Sequence, residues 1–312
     1  MITKPMDVLE SFQVRKSKKQ KKAFTGAVTE YAKGLNYTVC VEKGSLGSRN
    51  MVIGDAANAK YLVTAHYDTC AWMPVPNFIT PCNFVAYLLW QILLTFGIFA
   101  VAFGLSLGVS VLMNVPDLGM GLFLVLLYGI LGCLLFGPAN RHTANDNTSG
   151  VVTVLEIMAS MPDNLKDRVA FVLFDLEEAG LVGSSSYRSA HKQQTNQQII
   201  LNLDCVGDGN EILFFPTKKL RKDAGKMEIL RRAEGRWGSK SIEVKEKGFF
   251  FYPSDQASFP YGVGIAAFRR AKWLGPYCSR IHTHRDRVLE YTNVNLLRAA
   301  VISLIGSDRK NK

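Results

Sequence analysis

A chain of 312 residues with 48% apolar side chains can bury a sizeable core, which excludes disorder as its main character. The formal charge of +11 invites an anionic partner, but no zinc finger, aromatic RNA-binding motif or other recognition signature accompanies the basic residues, so nucleic acid is not expected. The six cysteines, Cys40, Cys70, Cys82, Cys133, Cys205 and Cys278, form no CxxC pair and read as scattered free thiols in a reducing compartment.

The first twenty residues are charged and lack an apolar stretch, so no cleavable signal peptide is expected. Arg15, Lys16, Lys18, Lys19, Lys21 and Lys22 fall within eight positions, inside a predicted helix over residues 7–34 that has room for a break. A solvated helix face and a patch attracted to anionic lipid are both open readings of that run. Short segments rich in Val, Ile, Leu or Phe then predict strands over residues 37–41, 50–53 and 61–65.

Between residues 71 and 140 the composition changes, and Asp117 is the single formally charged residue. Residues 84–113 and 118–137 are uncharged and are separated by a turn, Asn114-Val115-Pro116-Asp117. About 20 residues of helix cross the hydrocarbon of a bilayer. A helix apolar on every face would otherwise need protein on all sides, which a chain of this size rarely supplies. A two-helix transmembrane hairpin over residues 84–137 is therefore expected, with the lipid bilayer as a partner. Gly97, Gly104 and Gly108 leave a broken first segment or a third short span open.

Beyond the hairpin, strands are predicted over 168–174, 199–203, 212–215 and 264–268, and helices over 149–160, 218–234 and 294–305. This alternation predicts an α/β fold with a mixed, largely parallel central sheet flanked by helices. It would be built from residues 1–70 and 138–312 and interrupted by the hairpin.

Candidate metal ligands lie at the ends of the predicted strands, where open α/β sheets place their sites. His66-Tyr67-Asp68 follows one strand, so His66 and Asp68 project to the same side, which suits an imidazole held by a carboxylate. Asn145-Asp146-Asn147-Thr148-Ser149-Gly150 precedes a helix. Glu177-Glu178 and Asp204 close two further strands, and His282-Thr283-His284-Arg285-Asp286 follows a late loop. Any one of these alone would more often be a capping or loop residue.

The ordered set HxD, NDNxSG, EE, D and HTxxD resembles the co-catalytic zinc peptidase family that includes bacterial leucyl aminopeptidases, glutamate carboxypeptidase and, as relatives, the glutaminyl cyclases. The resemblance spans about residues 60–305 apart from the hairpin. It implies a zinc aminopeptidase-like fold and a peptidase acting on peptide substrates with two Zn²⁺ ions, with Co²⁺ and Mn²⁺ as alternatives. It also implies that Asp146 bridges the ions, that His66 and Asp204 complete one position and Glu178 and His282 the other, and that Asp68 orients His66. Glu177 is then left as general base. An aminopeptidase is the expected activity; a glutaminyl cyclase or amidohydrolase, or an inactive receptor or scaffold, are the alternatives. A deacylase family with a similar ligand order inserts a large domain between its later ligands, whereas 78 positions separate Asp204 from His282 here.

The residues Tyr252-Pro253-Ser254-Asp255-Gln256 resemble that family's Ser-Asp-His segment, with Gln256 where His is common. Tyr252 is thus a catalytic candidate for hydrogen bonding in the transition state, with Phe251 competing for the same position. His142 is expected at the interface, His191 on a polar helix end, and His284 in the cleft or at the surface. Because ligands flank the apolar block, an even number of spans is required. Ten Lys or Arg among the first fifty residues, and Arg141 after the second span, place the catalytic domain on the cytoplasmic side. The sequence leaves the oligomeric state open.

Overall fold

The computed structural model describes residues 1–115 and 118–307; Pro116 and Asp117 of the expected turn, and residues 308–312, lie outside the described residues. Among the described residues ten strands form one sheet. They are β1 (Val39–Lys43), β2 (Arg49–Ile53), β3 (Tyr61–His66), β4 (Val169–Phe174), β5 (Ile199–Leu203), β6 (Glu211–Pro216), β7 (Gly235–Trp237), β8 (Lys240–Val244), β9 (Gly262–Ala271) and β10 (Gly275–Tyr277). The order is β1-β2-β4-β3-β5-β9-β6-β8-β7, with β10 paired to β9. Neighbours in the run β4-β3-β5-β9 are parallel, as are β6 and β8, while the other pairings are antiparallel. The expected mixed sheet is thus parallel at its centre, with antiparallel pairs on either side of that run.

The helices are α1 (Asp7–Ser11), α2 (Lys18–Gly34), α3 (Phe84–Met113), α4 (Leu118–Phe136), α5 (Gly150–Ser160), α6 (Val182–Ala190), α7 (Lys192–Thr195), α8 (Lys218–Arg221), α9 (Ala224–Arg231) and α10 (Tyr291–Ser307). Strands buried on both faces need apolar residues at successive positions, and β3, β4 and β5 are buried throughout. Tyr61, Val63, Ala65, Phe171 and Leu173 face a core shared with α2, α5, α9 and α10. The alternate residues Leu62, Ala170, Val172 and Phe174 face Tyr187 of α6 and Phe259. Each Val, Leu or Phe among them contributes about 1.5–3 kcal/mol by leaving water.

The predicted helix 7–34 is broken: α2 restarts at a capping box in which Ser17 accepts from the Gln20 amide at 3.2 Å and Gln20 accepts from Ser17 at 2.9 Å. The predicted helix 218–234 also divides, because Asp223 caps a new start by accepting from the Lys226 amide at 3.0 Å. Strands β7, β8 and β10 and helices α6 and α7 were not predicted. Helix α6 is rich in Gly and Ser and is held by tertiary contacts such as Tyr187 against Phe174, ring centroids 5.8 Å apart.

Helix α3 runs continuously through Gly97, Gly104 and Gly108, so the three glycines do not break the first segment. Both are long and apolar enough to cross a membrane, with mean hydropathies of 2.3 and 2.4. Only 11% and 6% of those windows are buried, which a core helix of a soluble domain would not tolerate. The helices meet through small residues four apart, Ala102, Ser106 and Ser110, all buried on an otherwise exposed helix, and the Ser106 hydroxyl donates to the Gly119 carbonyl at 2.5 Å. At the base, Ala71 bridges Ala139 and the Trp72 amide donates to the Pro138 carbonyl at 2.8 Å, so the two apolar helices leave and rejoin the rest of the fold at one point.

The basic run near the N-terminus does not act as one patch. Arg15 is fully buried, donating from Nε to the Tyr67 carbonyl at 2.5 Å and from NH1 to Thr148 at 3.1 Å. Lys21 pairs with the buried Asp175 at 2.5 Å, and Lys16 donates to the Leu135 carbonyl at 2.8 Å at the C-terminal end of α4, where a cation complements the helix dipole.

Candidate metal centre

Parallel pairing of β3 with β4 and β5 aligns the carboxyl ends of those strands, so His66, the Asp175–Glu178 segment and Asp204 emerge at one edge. Asp146 and His282 reach the same point from loops. Asp146 Oδ1 lies 3.4 Å from His66 Nε2, and its Oδ2 lies 3.0 Å from His282 Nε2. Asp204 Oδ1 is 3.6 Å from His66 Nε2, and Glu178 Oε2 is 3.4 Å from His282 Nε2. One carboxylate therefore faces two imidazoles, each with its own second acid. The donor atoms of His66, Asp146 and Asp204 lie within 4.8 Å of one another, as do those of His66, Glu177 and Glu178 and those of Cys70, Glu178 and His282.

Buried hydrogen bonds fix this arrangement. Asp68 faces His66 Nδ1 through its carbonyl at 3.2 Å and its carboxylate at 3.7 Å. The same carboxylate accepts from the Glu177 amide at 3.0 Å and the Glu178 amide at 3.3 Å, so it positions the two glutamates as well as the imidazole. Asp286 accepts from the amides of Asn145 at 2.7 Å and Asp146 at 3.0 Å. Asn147 donates to the Leu203 carbonyl at 3.0 Å and accepts from the Gly150 amide at 3.0 Å, tying the Asp146 loop to the end of β5. A Cβ at Gly150 would sit 2.3 Å from the Leu203 carbonyl oxygen, so only glycine permits that approach.

Electrostatically the site is overfilled with acid. Burial pushes Glu177 well above the usual carboxylate range, against the pull of His66 and with the help of Glu178, Asp255 and Asp204. Burial also raises Glu178, to about 7, with His282 opposing. Burial pulls both histidines down, but the acids override it: Glu177, Asp146 and Asp204 hold His66 well above its ordinary value, and Glu178 and Asp146 hold His282 at about 9. Asp146 is displaced downward because its bonds to His282 and His66 outweigh burial. Glu178 Oε1 and Asp204 Oδ1 are buried without a hydrogen-bond partner. Unpaired buried carboxylate oxygens beside imidazoles could hold cations, and this donor set suits Zn²⁺.

Every ligand expected from the sequence lies in this cluster, with Glu177 and Asp68 beside it. Tyr252 is placed differently: its hydroxyl donates to the Asp204 carbonyl at 3.0 Å, its ring stacks on Phe215 with centroids 5.3 Å apart, and Gln256 donates to its carbonyl at 2.7 Å. Phe251 packs against Tyr87 at the root of α3, at 5.3 Å, and is no rival for the site. His142 contacts Arg287 at 3.0 Å, His191 pairs with Glu42 at 2.8 Å, and His284 is exposed. Three contributors were not recognised from sequence. Asp286 sits in the HTxxD motif and only its acid type hinted at a role. Asp255 is fully buried, and burial raises it to about 7 against the pull of His66. Cys70 follows His66 and Asp68 at the same two-residue interval, a signal that was available.

A sequence model of peptidase family M28 matches residues 130–304. No curated protein sequence matches the chain significantly. Among solved structures, a glutaminyl cyclase of Porphyromonas gingivalis superposes with a TM-score of 0.57 at 15% identity, over 95% of this chain and 92% of that one. A leucine aminopeptidase precursor from Bacteroides thetaiotaomicron gives 0.55 at 15% identity over 94% and 90%. The LapA aminopeptidase of Legionella pneumophila gives 0.54 at 15% identity, over 96% of this chain but 66% of its own. At such identity these likenesses establish a shared fold.

Proposed function

The chain belongs to peptidase family M28, and from that premise we propose that it is a membrane-anchored, two-zinc exopeptidase that removes residues from the N-terminus of peptides. The observation that carries this reading is the posture of Asp146, whose two oxygens face His66 at 3.4 Å and His282 at 3.0 Å. His66, Asp204 and Asp146 would hold one ion, and Glu178, His282 and Asp146 the other. Paired divalent cations would supply Lewis acidity to the scissile carbonyl and to the attacking water.

Glu177 is the acid left outside both ligand sets, and we assign it the general base. Its backbone is fixed by Asp68, so its carboxylate is held where it can take a proton from water and return it to the departing amine. A cleft of about 580 Å³ opens beside Glu178 and Asp68, walled by Leu135 and Phe136 at the end of α4 and by Lys16 and Lys21. The substrate entrance thus lies at the foot of the hairpin. In our reading α3 and α4 span the bilayer and the catalytic domain lies on the cytoplasmic side, where its basic N-terminal region is retained.

The aminopeptidase direction rests on the family and on the aminopeptidases among the similar structures. A panel of free, N-blocked and N-terminal-Gln peptides, incubated with detergent-purified, metal-loaded protein, tests it. Release of the N-terminal residue from free peptides but not blocked ones is the expected result. Cyclisation of N-terminal Gln with loss of ammonia would make it a cyclase instead, and no turnover would favour a scaffold.

A further inference from the structure

We propose that Cys70 is a fourth protein donor at the Glu178–His282 position, which makes that half of the metal centre thiolate-ligated. The inference rests on the two-ion reading above. His66 closes β3, and Asp68 and Cys70 follow it in the loop, where Asp68 faces His66 Nδ1 at 3.7 Å and the Cys70 thiol meets Glu178 and His282. The Cys70 sulfur lies with the ligand atoms of Glu178 and His282 inside a group no wider than 4.8 Å. Cys70 is 2% exposed, and the neighbouring Glu178 Oε1 is buried with no hydrogen-bond partner, so that side of the cluster holds a carboxylate oxygen that nothing in the protein satisfies.

The position of the thiol is built in. The Cys70 carbonyl accepts from the Asn140 amide at 3.2 Å, the next residue bridges Ala139, and the Met73 amide donates to the His282 carbonyl at 2.8 Å. The base of the hairpin therefore anchors the thiol and the His282 backbone together. On ligation the sulfur–hydrogen bond breaks, the proton passes to solvent, and the sulfur lone pair forms the bond to the cation.

The two positions then differ in kind. Asp146, His66 and Asp204 give three donors and leave room for substrate, whereas Asp146, Glu178, His282 and Cys70 give four, the complement of a closed tetrahedral site. A soft sulfur ligand also favours Zn²⁺ or Cd²⁺ over Mn²⁺ at that position.

The test uses detergent-purified full-length protein, stripped of metal and titrated with Cd²⁺ and with Co²⁺. The expected result is a sulfur-to-metal charge-transfer absorption that grows with one of two bound ions. Cys70→Ser and Cys70→Ala should both lose it, with that ion bound about tenfold or more weakly, since even partners outside the ligand shell are worth 10–100-fold. Melting curves of the two stripped variants, matched to the wild type, would establish that they fold. Two ions bound without the absorption, or an absorption that survives Cys70→Ala, would overturn the inference and leave the two-ion reading standing. A wild type that binds no ion would overturn both.

Discussion

The metal centre and the hairpin invert the usual rule of a folded chain in opposite ways. At the sheet edge, seven acids (Asp68, Asp146, Glu177, Glu178, Asp204, Asp255 and Asp286) lie at least largely out of water. Along α3 and α4, Leu89, Phe96, Val111 and Val125 lie open to solvent instead, at 61%, 71%, 71% and 68%. Each region is unfavourable as bare protein in water, and in the reading proposed above each is relieved by something the polypeptide does not contain: cations in the first, hydrocarbon in the second. The difference teaches that burial alone does not mark function; a mismatch between side chain and surroundings does.

The sharpest way to break the polar region is Glu177→Gln, which keeps the volume and removes the base. Turnover should fall by about 10²–10⁴-fold while both ions stay bound, as measured by single-turnover kinetics and elemental analysis. Retention of more than about a tenth of the rate would exclude Glu177 as the base.

Asp68→Asn weakens the same region indirectly. It disturbs the acceptor shared by His66 and the Glu177 and Glu178 amides, so metal affinity should drop by about 10–100-fold in a competitive chelator titration.

The apolar region can be removed outright. Replacing residues 84–136 with a short flexible linker should give protein that no longer needs detergent yet retains its ions, because the Ala71–Ala139 bridge and the Met73 and Ile79 contacts to His282 and Cys278 stay in place. Loss of metal in a folded variant would mean that the two regions are not separable. In intact cells, a Cys introduced at Asn114 should react with an impermeant maleimide and one at Lys218 should not; the reverse pattern would overturn the cytoplasmic assignment.

A smaller effect separates the metal-free and loaded states by pH. Burial holds Glu178 at about 7, and acidic neighbours hold His282 at about 9, both above their unfolded values. Groups raised on folding contribute stability that is complete below the unfolded pKa and is lost as pH rises through the folded one. The melting temperature of chelator-treated protein should therefore fall as pH rises, through Glu178 between about 4.5 and 7 and through His282 between about 6.5 and 9, whereas that of loaded protein should not, since its ligands are held deprotonated. Smallest of all, Tyr252→Phe removes one bond to the Asp204 carbonyl and should cost about 0.5–1.5 kcal/mol of stability with turnover within about tenfold. A loss of about 10²–10³ in turnover would restore Tyr252 as an oxyanion donor.

Much of this was legible because the signals are local. The continuous apolar runs of β3, β4 and β5 announce buried parallel strands, and their ends announce the ligands. The hairpin is written in seventy residues with one formal charge. What could not be read is how distant segments meet. Arg15 belongs by sequence to a basic run, yet it lies beneath the HxD loop because Tyr67 and Thr148 offer it acceptors. Leu176, Cys205 and His282 adopt left-handed backbone angles of 57°, 56° and 65°, a strain of about 1–3 kcal/mol each that no residue type there advertises. Strands β7 and β8 carry too few apolar residues to be seen, although Trp237-Gly238-Ser239-Lys240, with Gly238 at φ 62°, holds a readable hairpin turn.

The central claim is that Asp146 joins two ions in one site, and metal stoichiometry tests it most directly. Elemental analysis of purified wild type should give two ions per chain, and Asp146→Ala, shown by its melting curve to be folded, should lose both together. One ion in fully active wild type, or one ion retained at full affinity in Asp146→Ala, would contradict the account.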